Sequence, residues 1–330
     1  MPIESLETVD AFIVFDLANA PEAVGIVRSA RKILPSGAGD LARSMTYALA
    51  TFEMRRSGAS AGINALDEDR ADAVAKFTSE ISPMVASGRF LPEPGTRVPR
   101  AALASLAEAD SRAAVGDVAD QAVVAGVVAA AATAAGGLDG RTVAIEGFNG
   151  TGPALAAAVA EQGAKVVAVT SGPRGAIDRG GFPAGSLSTP GSIPNRDKTA
   201  NEALAEPVDV LFAGSKMGAV NHTMAGQLSV GAVVPHAPIP VTARALAILG
   251  RAGTTVVPDF ISTAGALFAW WPTGEFSPEA IAGDAAAKIA ASLEEISAHP
   301  DGLFLAAAQR AETFLATWQD PLPFGRPLAP

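Results

Sequence analysis

Short apolar runs recur along this chain, each closed by a glycine, proline or asparagine turn, with longer alanine-rich stretches between them. Runs of that kind read as buried strands, and the alanine-rich stretches read as helices. Residues 11–15 (AFIVF) and 23–27 (AVGIV) predict two strands around the Asn19-Ala20-Pro21 turn. Residues 39–54 and 67–85 predict helices, and 55–64 (RRSGASAGIN) a loop of small residues. Residues 90–96 (FLPEPGT) hold two prolines, which predicts irregular structure. Helices follow over 101–109 and 122–135, and the GGLDG turn at 136–140 marks a domain boundary. The Gly/Pro/Ser-rich segment 172–196 is long for a loop, which makes it either mobile or functional. Strands at 208–212, 232–234 and 254–257, with a helix at 243–249, alternate as in a parallel sheet. Helices at 279–296 and 303–318 and a proline-rich tail complete the chain.

The pattern is densest over residues 141–171, RTVAIEGFNGTGPALAAAVAEQGAKVVAVTS. Val143 to Ile145 predicts a strand, residues 153–162 a helix with Pro153 in its first turn, and Gly163 a stop. Residues 166–169 predict the next strand. The turn Gly147-Phe148-Asn149-Gly150-Thr151-Gly152 then meets a helix N-terminus inside a βαβ unit, where a dinucleotide pyrophosphate is held. Asn149 stands where the fingerprint has its second glycine; asparagine tolerates left-handed geometry, so the turn survives. A glycine turn at this place also serves purely structural ends. Ser171 ends the second strand where an NAD site carries an acid, and Arg174 follows three residues later. A missing carboxylate beside a guanidinium suits a 2′-phosphate, so NADP is favoured and NAD stays possible. Arg174 as a solvated loop residue is the other reading.

Composition narrows the classes. The 330 residues suffice for two domains, and 49% of them are hydrophobic. There is no cysteine, which excludes disulfides and thiolate metal sites and is compatible with a cytoplasmic location. The histidines, His222, His236 and His299, are too scattered for a zinc site, so no metal is expected. A net charge of −10 without a basic run argues against nucleic acid and anionic membrane. The N-terminus lacks a signal-peptide pattern, and the apolar stretch 122–137 reads as too short and too alanine-rich to span a bilayer.

These segments resemble the glutamate/leucine/phenylalanine/valine dehydrogenases, which oxidatively deaminate amino acids with NAD(P). TVAIEGFNGTG (142–152) looks like the family's nucleotide turn and VVAVTSGPRGAI (166–177) its second strand. VDVLFAGSKMGAVN (208–221) resembles the segment reaching the nicotinamide side, which adds Gly214 and Ser215 to the cofactor set. VVPDFISTAGALF (256–268) is similar to the late strand and helix. LARSMTYALA (41–50) resembles the substrate helix, SGASAGI (57–63) the glycine loop, and GRFLPEPGT (88–96) the loop of the catalytic acid. The resemblance implies an α/β protein of two domains. Residues 1–136 form a substrate and oligomerisation domain, with 300–330 packing back onto it, and 137–299 form a Rossmann-type NAD(P) domain. It also implies a small-molecule substrate and a homo-oligomer; with little chain ahead of the first strand, a homodimer is expected.

The departures are chemical. The family's two active-site lysines correspond to Ala48 and Ser60, its catalytic aspartate to Glu93, and its substrate-contacting asparagine to Pro238. A keto acid needs a cation for its carboxylate and a donor for its carbonyl, and a lost donor costs about 10²–10³ in rate. A changed substrate, or loss of catalysis in a nucleotide- or partner-binding homologue, follows. Lys216, in the turn after a strand, either supplies a cation or meets phosphate or solvent. His236 is an acid/base candidate or a bystander, and Glu93 a general acid or a solvated carboxylate. Tyr47 either hydrogen-bonds a carbonyl or packs within its helix. Trp270, with Trp271, either borders an apolar substrate or fills the core. Arg28 reads as structural.

Overall fold

The computed structural model describes residues 1–183 and 185–329. Two compact units emerge: Met1–Arg112 with Ala308–Pro327, and Ala113–Ala307 with the residues from Leu328 on.

The first unit contains β1 (Ile3–Ser5), β2 (Ala11–Phe15), β3 (Ala23–Ala30), α1 (Pro35–Thr51), β4 (Ser57–Asn64), α2 (Arg70–Ala86) and β5 (Leu91–Pro94), then a 3-10 helix over Arg100–Leu106. Its sheet runs β1-β2-β4-β3-β5. β2 and β4 are antiparallel, while β3 is parallel to both β4 and β5. Residues 57–64 were expected to be a loop and are instead a central strand. Their small side chains are the reason: a Cβ at Gly58 would lie 1.9 Å from the Ala42 carbonyl oxygen, so α1 rests on bare backbone. Residues 91–94 are a strand despite Pro92 and Pro94, because β5 is an edge that pairs only with β3.

The second unit begins with α3 (Asp117–Ala135) and continues β6 (Thr142–Glu146), α4 (Gly152–Glu161), β7 (Lys165–Ser171), β8 (Arg174–Ile177), β9 (Lys198–Thr199), α5 (Ala200–Leu204) and β10 (Val208–Ala213). There follow α6 (His222–Ala225), β11 (Val230–Pro235), α7 (Ala243–Arg251), β12 (Thr255–Val256), α8 (Asp259–Ser262), α9 (Gly265–Trp270) and α10 (Pro278–Ile296). α11 (Gly302–Leu315) belongs to this unit up to Ala307 and to the first from Ala308. The sheet order is β12-β11-β10-β6-β7-β8-β9. It is parallel from β12 to β7, as the strand-helix alternation predicts; β8 and β9 are antiparallel additions, β8 within the stretch expected to be loop and β9 just after it.

α3 is a core helix of this unit. A Cβ at Gly126 would meet Ile289 of α10 at 2.4 Å, and one at Gly265 of α9 would meet the Ala122 carbonyl at 2.0 Å. That packing places the division between Arg112 and Ala113, not at the glycine turn near 136. By length and composition alone α3 is apolar enough to cross a membrane, longer than the alanine run suggested.

A buried ion pair fixes the first unit. Arg43 donates from Nε and Nη2 to Asp16 at 2.7–2.9 Å, and from Nη1 to the carbonyls of Phe324 and Gly325. Both side chains are almost wholly enclosed. Arg43→Met leaves the Asp16 carboxylate buried and unpaired, and should cost about 3 kcal/mol. A lower midpoint in denaturant unfolding, partly restored by adding Asp16→Asn, checks this.

Candidate functional site

The order of the second sheet sets where a ligand can lie. From β6 the chain proceeds outward through β7, β8 and β9, then returns to β10 on the other flank. The reversal opens a crevice beyond the carboxyl ends of β6 and β10, the ligand position of open α/β sheets. Glu146, Gly147, Gly214 and Ser215 meet there. The Glu146 carboxylate accepts from the amides of Gly214 (3.0 Å) and Ser215 (2.9 Å). Gly147 has φ 84°, and a Cβ on it would stand 2.4 Å from the Ser215 nitrogen, so no other residue fits. Gly150 is the second left-handed position, at φ 37°. Asn149 keeps negative φ, so the tolerance expected of it is not used. Gly152 opens α4 against the Phe148 ring, and the Thr151 side chain makes no capping bond.

Ser171 and Arg174 face each other across a two-residue hairpin begun by Gly172 at φ 58°. The long segment after β8 returns to the same place. The Gly191 amide donates to the Phe148 carbonyl at 2.6 Å, and a Cβ at Gly191 would lie 3.7 Å from Asn149 Oδ1 and 3.8 Å from Ser171 Oγ. Arg196 donates from Nη2 to the Gly191 carbonyl at 2.9 Å. Sequence reading missed Arg196 because nothing local distinguishes it from a solvated arginine. The pairing of this segment with the glycine turn is tertiary.

Lys216 is exposed just past the end of β10; its backbone carbonyl accepts from Ala219 at 3.2 Å, and its ammonium pairs with no described acid. His236 is not a free acid/base. It is buried, and its Nε2 lies 2.9 Å from the Glu146 carbonyl oxygen; a carbonyl only accepts, so that nitrogen carries the proton. A Cβ at Gly214 would lie 2.6 Å from the same ring. Burial pushes its pKa below the ordinary 6.5, against a weaker pull from Glu146. Pro238 sits half-buried in the turn after β11, beside Ile239, whose amide donates to Asp259. Trp270 is 3% exposed and packs edge-to-face on Trp271, so it fills the core and does not border an open pocket.

In the first unit, Ser60 and Glu93 share one row across the sheet, Val14–Ser60–Ile26–Glu93. The Ser60 hydroxyl is enclosed and donates to the Ile26 carbonyl at 3.1 Å, so it is not free to serve a substrate. Glu93 is not a solvated loop carboxylate: it pairs with buried Arg112, which also grips Asp110 and the Pro92 carbonyl. Ala48 is buried on α1. Tyr47 is 1% exposed and donates to Glu312 at 3.0 Å, while Arg326 holds that carboxylate through two further bonds. Burial first, then Glu312, pushes the phenol pKa far upward. Tyr47 therefore packs and anchors; it does not reach a substrate.

Together these features define an α/β protein with a dinucleotide-type crevice in one unit and a mixed sheet in the other. Residues 119–269 match the Glutamate/Leucine/Phenylalanine/Valine dehydrogenase family. The match covers less than half of the chain and falls on the segments whose motifs resemble that family. It is 35% identical to glutamate dehydrogenase of Thermotoga maritima over 133 residues, 38% of this chain and 32% of that protein. It is 33% identical to NADP-specific glutamate dehydrogenase A1 of Halobacterium salinarum over 137 residues. The matched stretch thus spans about a third of these relatives' length. In fold, the chain is similar to hetero-hexameric glutamate dehydrogenase from Thermus thermophilus, Leu-bound form, with TM-score 0.81 and 22% identity, over 92% of this chain and 83% of that one. L-tryptophan dehydrogenase from Nostoc punctiforme aligns over 96% and 95% of the two chains, with TM-score 0.64 and 19% identity.

The depressed pKa of His236 has a consequence for stability. As pH falls through the ordinary imidazole range, the unfolded chain takes up a proton there that the folded chain does not, so folding weakens. The Hε1 resonance of His236 should stay unshifted as pH falls through the ordinary imidazole range. A normal titration curve for His236 would contradict its enclosure.

Proposed function

We propose that the protein is an NAD(P)-dependent oxidoreductase, with NADP favoured. It acts on a C=O or C=N bond, or the reverse CH–OH or CH–NH bond, of a small molecule that is not a standard α-amino acid. The observation that carries the reading is the β6–α4 glycine turn at the switch crevice. Gly150 leaves backbone uncovered for a pyrophosphate beside the N-terminus of α4, and Gly147 lets the turn close against Ser215. The names of the NADP-specific relatives support the choice of cofactor. Ser171 in place of an acid, with Arg174 opposite, fits a 2′-phosphate. The nicotinamide supplies or accepts hydride when bound. Lys216 offers the crevice a positive charge, and the Glu146 latch fixes the turn that presents it. Ala48 and Ser60 bring no charge to the substrate unit, so the usual hold on an α-amino acid is absent. We place the protein in the cytoplasm as a homodimer.

A second reading, a non-catalytic nucleotide- or partner-binding homologue, draws on the Gly191 segment lying against the glycine turn and on the engaged Ser60 hydroxyl. Titration of tryptophan fluorescence with NADPH and NADH separates them; failure of both to bind sinks the oxidoreductase.

Arg174→Ala should weaken NADPH about tenfold and leave NADH unchanged, the loss of one charge-assisted hydrogen bond. Equal losses for both would show that Arg174 does not read the phosphate. No deamination of glutamate, leucine, phenylalanine or valine is expected with either cofactor; robust turnover in the unmodified protein would refute the reading of Ala48 and Ser60. A light-scattering mass of six or more subunits would refute the dimer.

A further inference from the structure

α3 carries no charged residue from Gln121 to Ala135, so it is apolar around almost its whole circumference. A helix of that kind is ordinarily enclosed on every side. Here only part of it is. Ala122, Gly126 and Ala130 press into the unit, while Val128, Ala129 and Ala132 on the opposite side are half-exposed. α3 thus has an apolar side that this chain does not cover.

That side floors a groove of about 750 Å³, which lies wholly within the second unit. α4 walls it with Ala154 and Ala158, and α10 reaches it at Ala286. Alanine on floor and wall lets the axis of another helix come within about 8 Å, the near end of the packing range. The ends differ from the floor. Asp117 and Asp120 stand at one end, beside Gly150 and Thr151 where α4 begins. Glu161 and Gln162 stand at the other, where α4 finishes. The length of α4 separates the two ends by about 15 Å. No described basic side chain lines the groove. Asp117 and Glu161 are exposed and have no ion-pair partner among the described residues.

We propose that this groove docks one amphipathic helix of another protein, with apolar side chains along one face and lysine or arginine at both ends. The proposal goes beyond the oxidoreductase reading and does not rest on it. The apolar floor takes the helix face at the usual one-turn spacing, and the acids at the two ends fix its length and its charge. At 1.5 Å per residue, about ten to twelve residues carry a cation from one end to the other. Charge also selects against other occupants. A second copy of α3 brings the same acids with it. Laid antiparallel, its Asp120 meets Glu161; laid parallel, it meets Asp120, and like charges face each other either way. An anionic lipid surface meets the same repulsion.

The test uses the full chain and a fluorescently labelled peptide, acetyl-KLQQALQQLAQK-amide, with glutamate in place of both lysines as the control. Anisotropy should show saturable binding of the lysine peptide and none of the glutamate peptide. Asp117→Asn with Glu161→Gln keeps every apolar contact of the groove and should weaken the lysine peptide about tenfold. Glu68→Gln with Glu108→Gln removes two exposed acids of the first unit and should leave binding unchanged, which separates docking from general attraction to an acidic protein. Ala129→Arg fills the floor and should abolish binding while the thermal midpoint stays within about 2 °C of the natural protein. No saturation by ~1 mM lysine peptide overturns the proposal. So does equal binding of the two peptides, or an equal loss in the two double variants. Conversion of an assembled protein to monomers by Ala129→Arg would assign the groove to a second copy. Flotation with phosphatidylcholine vesicles, lost in Ala129→Arg, would assign it to a lipid surface. Either result overturns the helix as occupant.

Discussion

Glu146 accepts two backbone amide protons at the carboxyl end of β6, and the nucleotide unit is arranged around that contact. The amides belong to Gly214 and Ser215, just past the end of β10, the parallel neighbour of β6. Hydrogen bonds to a charged acceptor contribute about 1.5–3 kcal/mol each, and these two draw the turns to the limit of contact. The cost of that closeness is visible in the sequence. Gly147 must be glycine because Ser215 occupies the space of its Cβ, and Gly214 must be glycine because the His236 ring does. His236 in turn donates to the Glu146 backbone carbonyl and stays neutral through burial. Glu146, Gly147, Gly214 and His236 are therefore parts of one packed contact. A fixed carboxylate on the crevice floor also repels phosphate, which confines a dinucleotide's anionic centre to the amide-rich turn before α4.

The first unit handles charge differently. Arg112 gathers Glu93, Asp110 and the Pro92 carbonyl into one enclosed cluster, so Glu93 has a fixed position and a fixed partner. Its neighbour in the row, Ser60, has spent its hydroxyl on the Ile26 carbonyl. A carbonyl group arriving at this row meets an accepting carboxylate and no free donor.

Much of the second unit was legible in the sequence because its local preferences and tertiary structure agree. Apolar runs became β6, β7, β10 and β11, and the alanine stretches became α3, α4 and α10. The first unit was harder. Residues 57–64 look like a loop on propensity, since glycine, serine and alanine are weak strand formers; neighbours on both sides and α1 above make them a strand. The candidate site divides the same way. The glycine turn, Ser171, Arg174 and Lys216 were readable because backbone conformation or position after a strand defines them. The enclosure of Tyr47, His236 and Trp270 was not, because it depends on Glu312, Gly214 and Trp271, which no local pattern connects to them.

The segment after β8 shows how a stretch with little regular structure takes a defined place. Leu187 and Ile193 are buried and anchor it, while Asp178 and Arg196 satisfy its backbone at Gly180 and Gly191. Between the anchors, Gly191 bonds to Phe148 inside the glycine turn itself. A net hydrogen bond of this kind is worth about 1 kcal/mol, small against the binding energy of a dinucleotide. A ligand can therefore displace the contact at modest cost, or keep it and use Arg196 as a second cation beside Ser171. Glycine at 191 is what permits either outcome, since its would-be Cβ points toward both Asn149 and Ser171. A larger side chain there would stand between the turn and the hairpin of Ser171 and Arg174.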